Sequence, residues 1–201
     1  MAPKMVDHEQ RRIDIARATF VAVKNHGVEN LTLRDIAVEA GFTTGVFSHY
    51  FKDKNSVLRY AFKIAYQDTY DRIAKANKSV ESNLVKIKNS MVEVLPDPEK
   101  LESVAFVAMC FGIRNSGDLL LENEYNANKD EYRRLLEGYI NSAIKEGEIP
   151  NDGETSEIVD LIFAVEDGVC IQALLNPEVY TRDRCIRILD SLLERLILSP
   201  I

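Results

Sequence analysis

The chain has 201 residues, 46% apolar and 28% charged, with a formal net charge of −7. That is enough apolar matter for a packed core, and too much negative charge for a general nucleic-acid coat. No uncharged apolar run approaches the ~18 residues of a membrane span. The opening MAPKMVDHEQRR lacks the apolar stretch of a secretory signal, so a cytoplasmic protein with no membrane partner is expected. Cys110, Cys170 and Cys185 are odd in number and far apart, which predicts reduced thiols and no disulfide framework, metal site or cofactor. The charge is also uneven. Residues 1–60 carry 9 Lys+Arg against 7 Asp+Glu, and residues 61–201 carry 16 against 25. The N-terminal end therefore tolerates a polyanion that the rest repels.

Ile13, Ala16, Phe20 and Val23 repeat at helical spacing, and His26-Gly27 closes this first helix. Thr32 then reads as an N-cap with Asp35 in the first turn. Ile36, Ala37 and Ala40 make a small apolar face, and Gly41 ends the second helix. Thr43 caps a third, opening at Thr44, with Phe47 and Tyr50 or Phe51 turned inward. The small Ala37 lets the third helix cross closely over the second, and the glycine permits the turn, which is helix-turn-helix spacing.

A long helix follows near 54–76, with Val57, Leu58, Ala61, Phe62, Ala65, Thr69 and Ile73 on one face. Further helices are expected near 83–95, 99–116, 118–147, 154–176 and 181–198, separated by Pro- and Gly-containing stretches. IVDLIFAVEDGVCIQALL is apolar nearly all round, and Ile186, Leu189, Leu192, Leu193 and Leu196 form a broad stripe on the last helix. The pattern leaves two readings open, a dimer interface or completion of the monomer core.

The segment HGVENLT, followed by LRDIAVEAGFTTGVFSHYFKDKNSVL, strongly resembles the TetR family of bacterial transcriptional repressors. The family's pattern of Gly, aromatic, Tyr-Phe, Lys and Leu is matched by Gly45, Phe47, Tyr50, Phe51, Lys54 and Leu58. SHYFKDK is most similar to the betaine-pathway (BetI-like) branch, and Asp167-Gly168 is similar to a C-terminal helix of that branch. The resemblance implies an all-α protein of about nine helices. A three-helix helix-turn-helix DNA-binding domain would span 1–53, with the helix at 54–76 as connector. A helical-bundle effector-binding and dimerisation domain would span 77–201. It also implies a homodimer through the helices near 154–176 and 181–198, a near-palindromic double-stranded operator, and release by a small-molecule effector.

Roles follow residue by residue. Thr44, Gly45, Ser48 and His49 are the groups placed to read base edges, and Val46 can touch a thymine methyl. Thr32, Thr43 and Tyr50 are candidate backbone contacts, and Arg34, Lys52 and Lys54 supply the charge that sets affinity and salt dependence. Gly45 costs about 1 kcal/mol against Ala in a helix. Close approach to DNA or close packing on the preceding helix would each account for it. His8 and His26 read as structural or solvated.

The implied effector pocket lies after residue 80, with Met91, Phe106, Met109, Cys110, Phe111, Asn115, Tyr125, Tyr132, Phe163 and Asp167 as candidate lining. The chain has no Trp, so no aromatic cage for a quaternary ammonium is legible. That counts against the choline-like or betaine-like effector to which the branch resemblance points. An enzyme on a helical bundle is disfavoured, because no ExxH pair, HExxH or Gly-rich phosphate loop is present. A helix-turn-helix activator or architectural protein is the remaining alternative.

Overall fold

The computed structural model describes residues 8–150 and 154–198, and within them the side chains of all but residues 102, 111, 113–116 and 196–198. Among the described residues there are nine helices and no strand. They are α1 (His8–Asn30), α2 (Leu33–Glu39), α3 (Thr44–Phe47), α4 (Lys54–Asn77), α5 (Asn83–Val94), α6 (Leu101–Ser116), α7 (Leu119–Lys145), α8 (Thr155–Leu175) and α9 (Arg182–Leu198). Each helix expected from the periodicity is present. None is long and apolar enough to cross a membrane.

The chain divides into two compact units. The first is Met1–Asp68 with Pro98–Asn123, which holds α1 to α3, the start of α4, and α6. Ile15, Phe20, Ile36, Phe47, Leu58 and Phe62 form its core, each at most 2% exposed. Such side chains contribute about 1.5–3 kcal/mol apiece on burial. Gly27 breaks the end of α1 at φ 70, ψ 162, a backbone conformation that L side chains rarely adopt. Gly41 makes the turn after α2 at φ +68. α6 belongs to this unit, although a division near residue 77 would have assigned it to the C-terminal part. Its contact with α1 is close: a Cβ added at Gly112 would lie 3.0 Å from Val28 Cβ.

The second unit is Thr69–Asp97 with Glu124–Ile201. Met91, Leu136, Ile140, Ile162 and Leu189 fill its interior. Glu148, just past α7, accepts hydrogen bonds from the Asn83 and Leu84 amides at 2.8 and 3.0 Å and from the Ser82 hydroxyl. The Ser82 bond leads in pulling its carboxyl down to about 2, because these donors favour the ionised form. One carboxylate thus caps the start of α5 from 64 residues away in sequence. Arg182, opening α9, donates to the carbonyls of Val92 and Leu95 at the end of α5. Although its sequence is apolar nearly all round, α8 is covered on one side only by the described residues. Val159, Ile162, Phe163, Glu166, Val169 and Cys170 are buried, while Ala164, Asp167, Gly168 and Leu175 are exposed.

Candidate nucleic-acid interface and a buried polar cluster

The helix-turn-helix is built from local hydrogen bonds. Thr32 and Asp35 form a reciprocal cap on α2: the Thr32 amide donates to the Asp35 carboxylate at 2.9 Å, and the Asp35 amide donates to the Thr32 hydroxyl at 3.2 Å. The Thr32 hydroxyl also donates to that carboxylate at 2.6 Å, so Thr32 is engaged in the cap. These bonds, from the Thr32 side chain first, hold the Asp35 carboxyl below its ordinary value. Thr43 caps α3 by accepting from the Val46 amide at 3.3 Å. Its φ and ψ of −75° and 154° are those of an extended cap residue. α3 itself is a single turn, continued by amide bonds from His49, Tyr50 and Phe51 back to Val46 and Phe47. Phe47 and Phe51 anchor it from below, 2% and 4% exposed.

Thr43, Thr44, Gly45, Val46, Ser48 and His49 are all exposed. A Cβ added at Gly45 would meet nothing nearer than Thr43 Oγ1 at 4.0 Å. Close packing on the preceding helix is therefore not the reason for this glycine, and the backbone there is open to an approaching surface. Ser48 Oγ donates to the Gly45 carbonyl at 2.8 Å, which leaves its lone pairs outward.

The cations divide. Arg34 and Lys52 are exposed, and among the described residues neither forms an ion pair with a carboxylate. Lys54 Nζ donates to the Glu29 carbonyl at 3.0 Å and so ties α4 to the end of α1 just past the Gly27 break. Tyr50 is half-buried, its ring 6.5 Å from Phe42 and 5.9 Å from His8. The Arg11 guanidinium lies over the Phe42 ring at 5.3 Å. Arg11 and His8 thus flank the Phe42–Tyr50 pair from one face of α1, at the i, i+3 spacing of helical neighbours. Neither was a candidate from the sequence, because their link to the turn after α3 is tertiary. Elsewhere on this unit, an open cleft of about 520 Å³ is lined by Asp14, Glu39 and Asp68 against Arg17. That balance has the wrong sign for phosphate.

The candidate pocket residues do not fall in one unit. Phe106, Met109 and Cys110 lie in the first, where Phe106 stacks on Phe62 with centroids 5.4 Å apart. Met91, Tyr125, Tyr132, Phe163 and Asp167 lie in the second. The side chains of Phe111 and Asn115 are outside the described residues. Tyr132 and Phe163 stack at 5.7 Å. Asp167 is a surface residue, its side chain 56% exposed and paired with Lys129 at 2.9 Å. The buried acid is its neighbour Glu166, 3% exposed, which accepts from the Tyr132 hydroxyl at 2.9 Å. Burial pushes the Glu166 carboxyl up to about 8 and the Tyr132 phenol well above its usual value. The sequence carried a signal for this: Glu166 stands at 3–4 spacing from Ile162, Phe163, Val169 and Cys170, on the stripe that turns inward.

A capped two-helix reading head, open at α3 and held on an all-helical body, defines a helix-turn-helix DNA-binding transcriptional regulator. Residues 14–61 match the family described as bacterial regulatory proteins, tetR family, and residues 116–198 match the family described as BetI-type transcriptional repressor, C-terminal. The chain belongs to the TetR family. It is 27% identical over 190 residues to the HTH-type transcriptional regulator PksA of Bacillus subtilis, covering 93% of this chain and 90% of that one. A transcriptional regulator from Saccharomonospora viridis in complex with choline superposes with a TM-score of 0.84 at 19% identity, covering 94% of this chain and 98% of that one. FadR from Bacillus subtilis in complex with stearoyl-CoA does so with a TM-score of 0.73 at 20% identity, over the same shares. These relatives are regulators, not enzymes, and the enzyme reading falls with them. The C-terminal match extends well beyond the Asp167-Gly168 pair that carried the resemblance there.

Proposed function

We propose that this chain is a ligand-responsive repressor that binds a near-palindromic operator as a homodimer and is released by a small-molecule effector. The observation that carries the DNA reading is the surface around Gly45. Six small or polar positions between Thr43 and His49, Phe47 aside, face outward, and among the described residues nothing covers them. Thr44, Val46, Ser48 and His49 read base edges, while Arg34, Lys52 and the α1 cation Arg11 hold phosphates. Thr32 acts through its cap, and Lys54 divides its donors between Glu29 and the DNA backbone. The DNA-binding part is 1–53, α4 is the connector, and 77–201 carries effector binding and dimerisation.

Dimerisation uses the exposed side of α8, where Ala164 and Gly168 are small enough for a second copy to approach closely, together with α9. Half-sites one helical turn apart, or a multiple, match the two-fold axis. Choline and stearoyl-CoA, bound by two proteins of the same fold, show that its ligands differ in charge and size, so the fold alone does not choose an effector class here.

A gel-shift titration with the duplex upstream of the chain's own gene tests the proposal. Binding that is sequence-dependent and falls steeply with salt is expected. Failure to bind any duplex at low salt would overturn it. A reporter that rises rather than falls on expression of the protein would replace repression with activation.

A further inference from the structure

Resting on the reading that α3 meets base edges in the major groove, we propose that Ser48 is a specificity-determining residue. Its hydroxyl accepts a hydrogen bond from the exocyclic amine of an adenine or a cytosine, and so rejects guanine and thymine at that position of the strand it meets. The Ser48 proton decides this. α3 closes in a tightened turn: the Ser48 amide donates to the Thr44 carbonyl at 3.1 Å, and the His49 amide to the Val46 carbonyl at 3.2 Å. Those are the amides that helical spacing offers to the Gly45 carbonyl, at i+3 and i+4. That carbonyl is taken instead by the Ser48 hydroxyl, at 2.8 Å. A carbonyl can only accept, so the hydroxyl is the donor of this bond.

A serine hydroxyl has a single proton and a pair of acceptor sites. With the proton given to Gly45, the exposed side of Ser48 offers acceptor capacity only. A bound duplex strengthens that commitment. It excludes water from the Gly45 carbonyl, and a proton turned outward would then leave a desolvated acceptor unpaired.

Acceptor polarity sorts the partners. Phosphate oxygens accept, as do guanine N7 and O6 and thymine O4, so none of them completes a bond with Ser48. Among major-groove edges, adenine N6 and cytosine N4 present the donors. Each base pair carries its outward amine on one strand, so the acceptor chooses the orientation of the pair. Thr43 is the converse case. Its oxygen accepts from the Val46 amide at 3.3 Å, which leaves its O–H to donate to a phosphate. Residues 41–51 hold no Lys or Arg, so the reading turn has no charged fork with which to grip guanine.

The test takes the full chain through selection from a random duplex library, and then through base analogues in the selected site. Aligned half-sites are expected to show a position restricted to adenine or cytosine on one strand. Each adenine is replaced in turn by 2-aminopurine, which moves the amine to the minor groove. Each cytosine is replaced by N4-methylcytosine, which covers the outward N–H. At one position the substitution should lower the parent's affinity about three- to tenfold per half-site. There Ser48→Ala should bind natural and substituted duplexes alike, while Ser48→Thr, which keeps the hydroxyl, should retain the penalty. Sensitivity to 2-aminopurine assigns the amine to adenine, and sensitivity to N4-methylcytosine assigns it to cytosine. A parent indifferent to every analogue, or a penalty of the same size in Ser48→Ala at every sensitive position, overturns the inference. Either result leaves α3 as a reader of DNA without the Ser48 contact. A library that returns no preferred sequence removes the DNA reading itself, and does so before any analogue is used.

Discussion

The open face around α3 and the buried meeting of α7 with α8 treat polar side chains in opposite ways. At α3 the bonds are local. Thr43, Thr32 and Ser48 all bond within three residues, and the groups aimed outward stay in water. At α7 and α8 the key bond runs from Tyr132 to Glu166 across 34 residues, and both groups are shut away from water. A solvated polar surface costs the fold little and waits for a partner. A buried one costs stability unless every atom is satisfied, so its presence marks a position where something beyond stability is at stake.

Four measurements would break or sharpen that contrast. The largest effect is expected beneath the open face. Phe47→Ala should cost about 3–5 kcal/mol, because it empties the support of α3, and DNA binding should vanish with it. Thermal or urea denaturation checks the first, and a gel shift the second. A loss below ~1 kcal/mol would mean that the head is not held from below.

Next is the buried acid. Its folded-state carboxyl titrates near 8, above the ordinary value of 4.5, so the native state holds its proton longer than the unfolded chain. Its contribution to stability is therefore lost as pH rises from about 4.5 to 8, at up to about 1.4 kcal/mol per pH unit. Glu166→Gln should match the parent near pH 4 and become progressively more stable toward pH 8. Parallel stability curves for the two proteins would refute the burial.

Gly45→Ala should move two quantities in opposite directions. The fold gains up to about 1 kcal/mol from helix propensity, since the added methyl meets open space, while DNA affinity falls. A variant stabilised with affinity unchanged would deny that DNA approaches this backbone. The smallest effects separate the cations. Lys52→Ala and Arg11→Ala should each flatten the salt dependence of DNA binding by about 0.9 in log–log slope. Lys54→Ala should flatten it less, and also lower stability by about 0.5–1.5 kcal/mol through the lost bond to Glu29. A full change of slope with no loss of stability would return Lys54 to the phosphate-binding set.

Most of the fold was legible because its determinants are local. The α4 stripe from Val57 to Ile73 turned inward as its spacing required, and Thr43 and Thr32 cap the helices they precede. The candidate effector residues were less legible. Apolar residues on a helix stripe report burial, not the partner they are buried against, so Phe106 went to Phe62 in the first unit while Tyr132 went to Phe163 in the second.

By itself the sequence determined the helices, their caps, the helix-turn-helix and the family, since each depends on residues a few positions apart or on a motif read in order. Only the tertiary structure decided that Gly45 faces open space, that Lys54 holds Glu29, and that Glu166 rather than Asp167 is the buried acid. Adjacent residues on a helix point about 100° apart. Which of two neighbouring carboxylates enters the core is settled by what packs against the helix.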